Sequence, residues 1–198
     1  MSSASFQIEL PETVLARARR GEAGALEQVY RVFEQPAYTL ALRMLGDADH
    51  AREAMHDAML HVLERIGQFR GDAPFWGWLR RIVVNEALMR MRRERGIAFE
   101  GLPDDDGTPG DAPAPWLHAD AQRLQRALAR LPALTRSVLW LYHVEEYTHP
   151  EIAELTGKSV SFSKSQVARG SQRLRNLLDP SRSEIQQEAA PCMTATAR

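Results

Sequence analysis

FRGDAPFWGWLRRIVVNEALMRMRRER, running from Phe69 to Arg95, is the stretch on which the reading of the whole chain turns. Gly71, Asp72 and Pro74 break any regular pattern, and Asp72 is placed to accept hydrogen bonds from backbone donors at a helix start. From Phe75 onward Trp78, Leu79, Ile82, Val83, Leu88 and Met91 recur at intervals of three and four. That period predicts a helix with one broad face for burial.

The opposite face carries Arg80, Arg81, Arg90, Arg92, Arg93 and Arg95 against only Glu86 and Glu94, with Asn85, Phe69, Phe75 and Trp76 nearby. Guanidinium groups neutralise phosphates, aromatic rings stack on unpaired bases, and a carboxamide hydrogen-bonds a base edge. The mixture suits a nucleic-acid strand held single. A solvated arginine face beside ordinary core aromatics is the other reading of the same residues.

The 198 residues suit one domain or two small ones, and 44% apolar content is enough for two small helical cores. Helix formers dominate and strand-like alternation is nearly absent, so the expected class is all-α. A net charge of −1 moves attention from total charge to its distribution, which is blocked. Six acids and no Lys or Arg lie between Arg95 and Arg123, whereas five cations and no acid lie between Glu154 and Asp179. Cys192 is the only cysteine, which excludes an intramolecular disulfide. The amino end lacks the pattern of a signal peptide and no apolar run approaches membrane-spanning length, so a cytoplasmic protein without a membrane partner is expected.

Pro11 to Glu12 opens a short helix with Val14, Leu15 and Ala18 inward and Gly21 at its end. A longer helix is expected from Ala23 to Leu45, kinked or interrupted at Pro36. Asp49 is expected to cap the next, which runs to about Ile66 and buries Ala51, Ala54, Met55, Ala58, Met59 and Val62. With the Phe69–Arg95 stretch these helices make a first domain, residues 11–95. Residues 96–118, rich in Pro, Gly and Asp, read as a flexible acidic linker.

Residues 119–178 form a second helical set. Leu131-Pro132 ends its first helix, and Thr148 to Glu151 has capping-box spacing around Pro150. Gly157 is a turn, and Ser159 caps a last helix carrying Val160, Val167, Leu174 and Leu178 inward. A short helix, a glycine turn and a basic helix make a helix-turn-helix, whose second helix enters the DNA major groove. Residues 179–198 read as a disordered tail.

The Phe69–Arg93 stretch, with its FRGD turn, Phe75, Trp78-Leu79, Arg81-Ile82, Asn85 and final arginine pair, resembles the promoter-melting segment of extracytoplasmic-function (ECF) sigma factors, members of the sigma-70 family. The run from Leu131 to Leu178 resembles region four of the same family, in the order the family requires. The resemblance implies a transcription initiation factor that binds bacterial RNA polymerase core and promoter DNA. It implies minus-ten recognition by Phe69, Arg70, Phe75, Trp76, Arg80, Arg81, Asn85, Arg90, Arg92 and Arg93. It implies minus-thirty-five recognition by Ser159, Ser161, Phe162, Lys164, Ser165, Gln166, Arg169 and Arg173. Polymerase docking falls to the helix bearing Glu53, Asp57, Met59 and His61, and many family members also have an anti-sigma factor as partner. In the family the linker threads near the RNA exit path.

Several positions depart from the family pattern. Met59 replaces an aromatic and His56 a glutamine; His149 stands where an aromatic is usual; Ser163 replaces a core valine and Phe162 a polar, groove-facing residue. Phe162 either packs on a thymine methyl or turns inward to fill the space beside Ser163. Glu53/His56 and Glu146/His149 share the i, i+3 spacing of di-iron ligands. However, the first pair lies opposite the apolar stripe and the second precedes a turn, so neither a metal nor another cofactor is expected. No phosphate loop, catalytic triad or reactive cysteine points to an enzyme. The competing reading is a stand-alone helix-turn-helix regulator, to which the aromatics and Asn85 beside a basic helix give no advantage.

Overall fold

The computed structural model describes residues 10–97 and 119–179, and among these every regular element is helical. The linker and tail expectations fall on 98–118 and 180–198, outside the described residues. Helix α1 (Glu12–Arg19) follows Pro11, and Gly21, at φ +80°, turns the chain into α2 (Ala23–Leu45). Helix α2 continues through Pro36, so of the expected kink or interruption the interruption does not occur. Phe33, Ala37, Leu40 and Ala41, on both sides of the proline, are buried, and that burial offsets the lost hydrogen bond. The carbonyl left without its donor belongs to Val32, which is 36% exposed.

Gly46 closes α2 in the left-handed conformation at φ +75°, and Asp47, rather than Asp49, caps α3 (Ala48–Arg65) by accepting from the Asp49 and His50 amides. A 3-10 turn over Ile66–Gln68 leads to α4 (Phe75–Ile97). Helices α2, α3 and α4 pack around Phe33, Met44, Met59, Val62, Leu79, Val83 and Val84, all with at most 1% of their surface exposed. Burying one such side chain contributes about 1.5–3 kcal/mol.

The second set comprises α5 (Ala119–Ala129), α6 (Ala133–His143), α7 (His149–Thr156) and α8 (Val160–Leu178). The Thr148 hydroxyl and amide both donate to the Glu151 carboxylate while Thr148 Oγ1 accepts from the Glu151 amide, the reciprocal cap that the spacing foretold. Gly157, at φ +67°, is the turn, and Ser159 accepts from the Phe162 amide to start α8. Gly170 lets α8 lie directly on α6: a β-carbon there would sit 2.7 Å from the Thr135 methyl. Val160 stays 40% exposed instead of turning inward.

The two sets share one apolar cluster. Val138 and Leu141 of α6, with Ile152 and Leu155 of α7, are buried together with the residues of α2 and α4. Sequence periodicity gave no sign of this junction.

Candidate nucleic-acid interface

The aromatic residues near the start of α4 are packed on one another. Trp76 stacks on Phe33 with ring centres 5.9 Å apart and planes at 4°, and Phe75 meets Phe69 edge to face at 5.2 Å. Phe69, Phe75 and Trp76 are each at least 93% buried, which corrects the expectation that their rings lie open to stack on bases. A base and a neighbouring Phe offer similar faces, and here the core takes all three. Trp78, half-buried against Phe69 and Phe75, is the ring of this group nearest solvent.

Arg70, Arg81, Asn85, Arg92 and Arg93 are exposed along α4 and the turn before it, and Arg80 and Arg90 are half-buried. Asn85 and Arg92 line a cavity of about 340 Å³ together with His61, Arg65, Ile82, Glu86 and Met89. Glu86 is 8% exposed and its carboxylate lies 2.9 Å from His61 Nδ1. His61, expected on the polymerase-docking face, therefore belongs to the same cavity as Asn85. Arg65 and Glu86 were missed by sequence reasoning, because a cavity between α3 and α4 leaves no local pattern. Its volume lies at the lower end of small-ligand pockets, and its lining combines the apolar Ile82 and Met89 with amide, guanidinium, imidazole and carboxylate groups. Such a lining suits a single planar base with a phosphate at its edge.

Several of these cations are already engaged. Arg90 donates to Glu53 of α3. Arg80 donates to the Glu145 carboxylate at 3.0 Å and to its carbonyl at 3.1 Å, lies 4.8 Å over the Tyr147 ring, and keeps a buried Nε without a partner. Burial pushes the Tyr147 phenol above its ordinary pKa, with Arg80 opposing. Arg81 pairs with Glu154 at 3.0 Å, and Arg92 donates to the Leu155 carbonyl at 2.7 Å.

On α3, Glu53 is exposed and Asp57 half-exposed, but Met59 is fully buried, a second correction. The apolar side chain presented to solvent there is the next residue, Leu60, at 57% exposure. One residue is about 100° around a helix, which carries Met59 into the core and Leu60 out of it.

In the helix-turn-helix, Ser161, Lys164, Arg169 and Arg173 are exposed on α8, while Phe162, Ser165 and Gln166 are half-buried. Gln166 Oε1 accepts from Thr135 at 2.8 Å, and Arg169 donates to Ser165 at 2.9 Å. Ser163 is fully buried and 3.0 Å from His149 Nδ1, whose ring stacks on Tyr142 at 4.6 Å. His149 is thus one neighbour of Ser163, and Phe162 is half-buried beside it in sequence. A separate apolar groove of about 380 Å³ runs between α5, α6 and α8, lined by Leu124, Leu128, Leu139, Trp140, Val144 and Leu174.

His56 lies 3.3 Å from the Tyr30 hydroxyl and Glu53 pairs with Arg90, so the first di-iron-like pair is engaged elsewhere. Among the described residues no cluster of three or more His, Cys, Asp or Glu side chains could hold a metal ion, and no helix is long and apolar enough to cross a membrane.

A helical domain with a basic face and an open cavity beside it, followed by a helix-turn-helix, has the parts of a two-part DNA-binding protein. Sigma-70 region 2 matches residues 29–97 and sigma-70 region 4 matches residues 121–174. The chain is 34% identical over 166 residues to the ECF RNA polymerase sigma factor SigM of Mycobacterium tuberculosis, covering 83% of each protein. It is 25% identical to SigW of Bacillus subtilis, covering 83% of this chain and 94% of that one. Among solved structures, the sigma factor RpoE in its complex with the anti-sigma factor NepR from Bartonella quintana superposes with a TM-score of 0.54 at 23% identity, covering 77% of this chain and 95% of that one. CnrH, in complex with the cytosolic domain of CnrY, gives 0.51 at 22% identity, covering 85% and 96%. The chain belongs to the extracytoplasmic-function sigma factors of the sigma-70 family, and its function is promoter-specific transcription initiation with RNA polymerase.

Proposed function

We propose the following division of labour within this sigma factor. Residues 11–95 dock on polymerase core through the outer face of α3, using Glu53, Asp57 and Leu60. They take up the non-template strand of the minus-ten element on α4. Residues 119–178 read the minus-thirty-five element with Ser161, Phe162, Lys164, Ser165, Gln166 and Arg169 in the major groove, flanked by Ser159 and Arg173. On α4, Arg70, Arg80, Arg81, Arg90, Arg92 and Arg93 hold phosphates. Asn85 reads a base turned into the cavity it shares with His61 and Glu86.

The observation that carries this reading is Asn85 at the mouth of a base-sized cavity on the basic face of α4. Opening duplex DNA costs about 1.4 kcal/mol per stacked step, which a captured base and its phosphates can offset. The chain makes and breaks no bond itself and works in the cytoplasm beside polymerase. An anti-sigma partner belongs to the same proposal, supported by the complexes in which the two similar folds were solved.

Co-purification with bacterial RNA polymerase core tests the docking. The parent chain is retained and Asp57→Arg is lost. If neither is retained while the free protein shifts duplex DNA, the role belongs to a stand-alone regulator instead.

A further inference from the structure

Glu86 is the one carboxylate among the residues that line the cavity between α3 and α4, and it stands on the helix that carries the phosphate-binding arginines. It is 8% exposed. A carboxylate withdrawn this far from water is costly unless it is bonded, and beside Arg92 it repels the phosphates that the arginine attracts. Its bond is to His61 Nδ1 of α3 at 2.9 Å, and the His61 side chain is 35% exposed.

That bond decides what His61 offers to a ligand. An ionised carboxylate accepts hydrogen bonds and donates none. In the neutral imidazole the hydrogen therefore sits on Nδ1, and Nε2 keeps its lone pair. One bond from His61 also leaves the Glu86 carboxylate with acceptor capacity to spare. The pair thus offers acceptors only to an uncharged base edge. A keto oxygen placed against it would lose its water and meet no donor, whereas the hydrogens of an exocyclic amine would be met.

The other polar groups of the cavity do not decide the matter. Asn85 carries both a donor and an acceptor in its carboxamide and suits either kind of edge. Arg65 and Arg92 are charged donors whose best partners are phosphate oxygens. Discrimination between amine and keto groups is left to His61 and Glu86.

We propose that the His61–Glu86 pair sets which base the cavity accepts: one that presents an exocyclic amine there, adenine or cytosine, in preference to one that presents a keto oxygen, guanine or thymine. His61 touches the base and determines the specificity. Glu86 acts through the imidazole by fixing its tautomer and is a positioning residue. The inference rests on the reading of the cavity as a base site and adds the class of base it takes.

The test uses holoenzyme reconstituted from the full chain and bacterial RNA polymerase core, with promoter templates whose non-template minus-ten strand is unpaired and randomised. Bound strands are sequenced after selection at about pH 8, above the ordinary range of imidazole titration. Asn85→Ala marks the position that the cavity reads, as the one whose base preference it changes. There the parent should favour adenine or cytosine about tenfold over guanine and thymine. Glu86→Gln has nearly the same shape but both accepts and donates, so the tautomer is no longer fixed. The preference should fall to within about twofold at that position while the other positions keep theirs. His61→Lys, with donors and no acceptor, should turn the preference toward guanine and thymine. A guanine or thymine preference in the parent overturns the proposal. So does a Glu86→Gln variant that holds every base equally less well, the result expected of a carboxylate with a merely structural role.

Modified bases give an answer that needs no substitution in the chain. Purine in place of adenine, or 2-pyrimidinone in place of cytosine, removes only the amine. At the marked position either change should cost the parent a factor of about ten, and no cost overturns the proposal. If Asn85→Ala alters no position, the cavity reads no base, and the underlying reading fails together with the inference. If Asn85→Ala alters one position and the His61 and Glu86 variants leave that preference unchanged, the base site stands and the assignment to the His61–Glu86 pair falls.

Discussion

His149 Nδ1 and Ser163 Oγ lie 3.0 Å apart, one on each helix of the helix-turn-helix, and Ser163 is fully buried. Two of the positions read above as departures from the family pattern are therefore partners. Ser163→Val alone removes the hydroxyl and leaves a half-buried imidazole unpaired, which should cost about 1–3 kcal/mol. His149→Phe alone strands the buried hydroxyl at similar cost. The double variant should recover much of that loss, with a coupling of at least about 1 kcal/mol in a denaturant-unfolding cycle. Additive losses would show that the contact contributes nothing.

If Asn85 reads a base edge from the cavity it lines, as proposed, Asn85→Ala should lower open-complex formation selectively on the preferred minus-ten sequence. Permanganate footprinting on preferred and scrambled promoters measures it. Equal losses on both would remove Asn85 from base reading.

Arg93 is exposed and has no bond to α5–α8, unlike Arg92. Arg93→Ala should weaken promoter-complex formation on all sequences alike and reduce the salt slope by about 0.7, as expected for one phosphate on a single strand. A sequence-dependent loss, or an unaltered slope, would contradict a phosphate contact.

The Thr148 hydroxyl, followed by the Thr148 amide, holds the Glu151 carboxyl below the usual carboxylate range. A carboxylate depressed in the folded state stabilises above its unfolded pKa, and that stabilisation is lost as pH falls through the folded value. Thermal unfolding should therefore show the parent more stable than Glu151→Gln near neutral pH, with the difference vanishing in acid. Glu151 is exposed, so the effect is small. A difference that grows on acidification would reverse the assignment.

The Thr148–Glu151 cap, the Gly157 turn and helix α4 were all legible in the sequence, because each is set by residues within a few positions of one another. The aromatic residues were legible only by type. Phe69, Phe75 and Trp76 have the chemistry to stack on bases, but Phe33, which Trp76 stacks upon and Phe75 meets at 5.2 Å, comes from a helix more than thirty residues earlier. Met59 and Leu60 show the same limit at finer grain, since adjacent apolar residues at the edge of a stripe are sorted only by the partner helix. The cavity between α3 and α4, and the bond from Arg136 to Met44 across 92 residues, have no counterpart in any local window. Such contacts are written in three dimensions, and periodicity reports one helix at a time.

Arg136 caps a helix that ends ninety-one residues before it. During synthesis the amino-terminal helices leave the ribosome with the Met44 and Leu45 carbonyls still lacking this partner, and at about 5–20 residues per second that interval lasts on the order of 5–20 seconds. For that time the carboxyl end of α2 is without the cation that completes it.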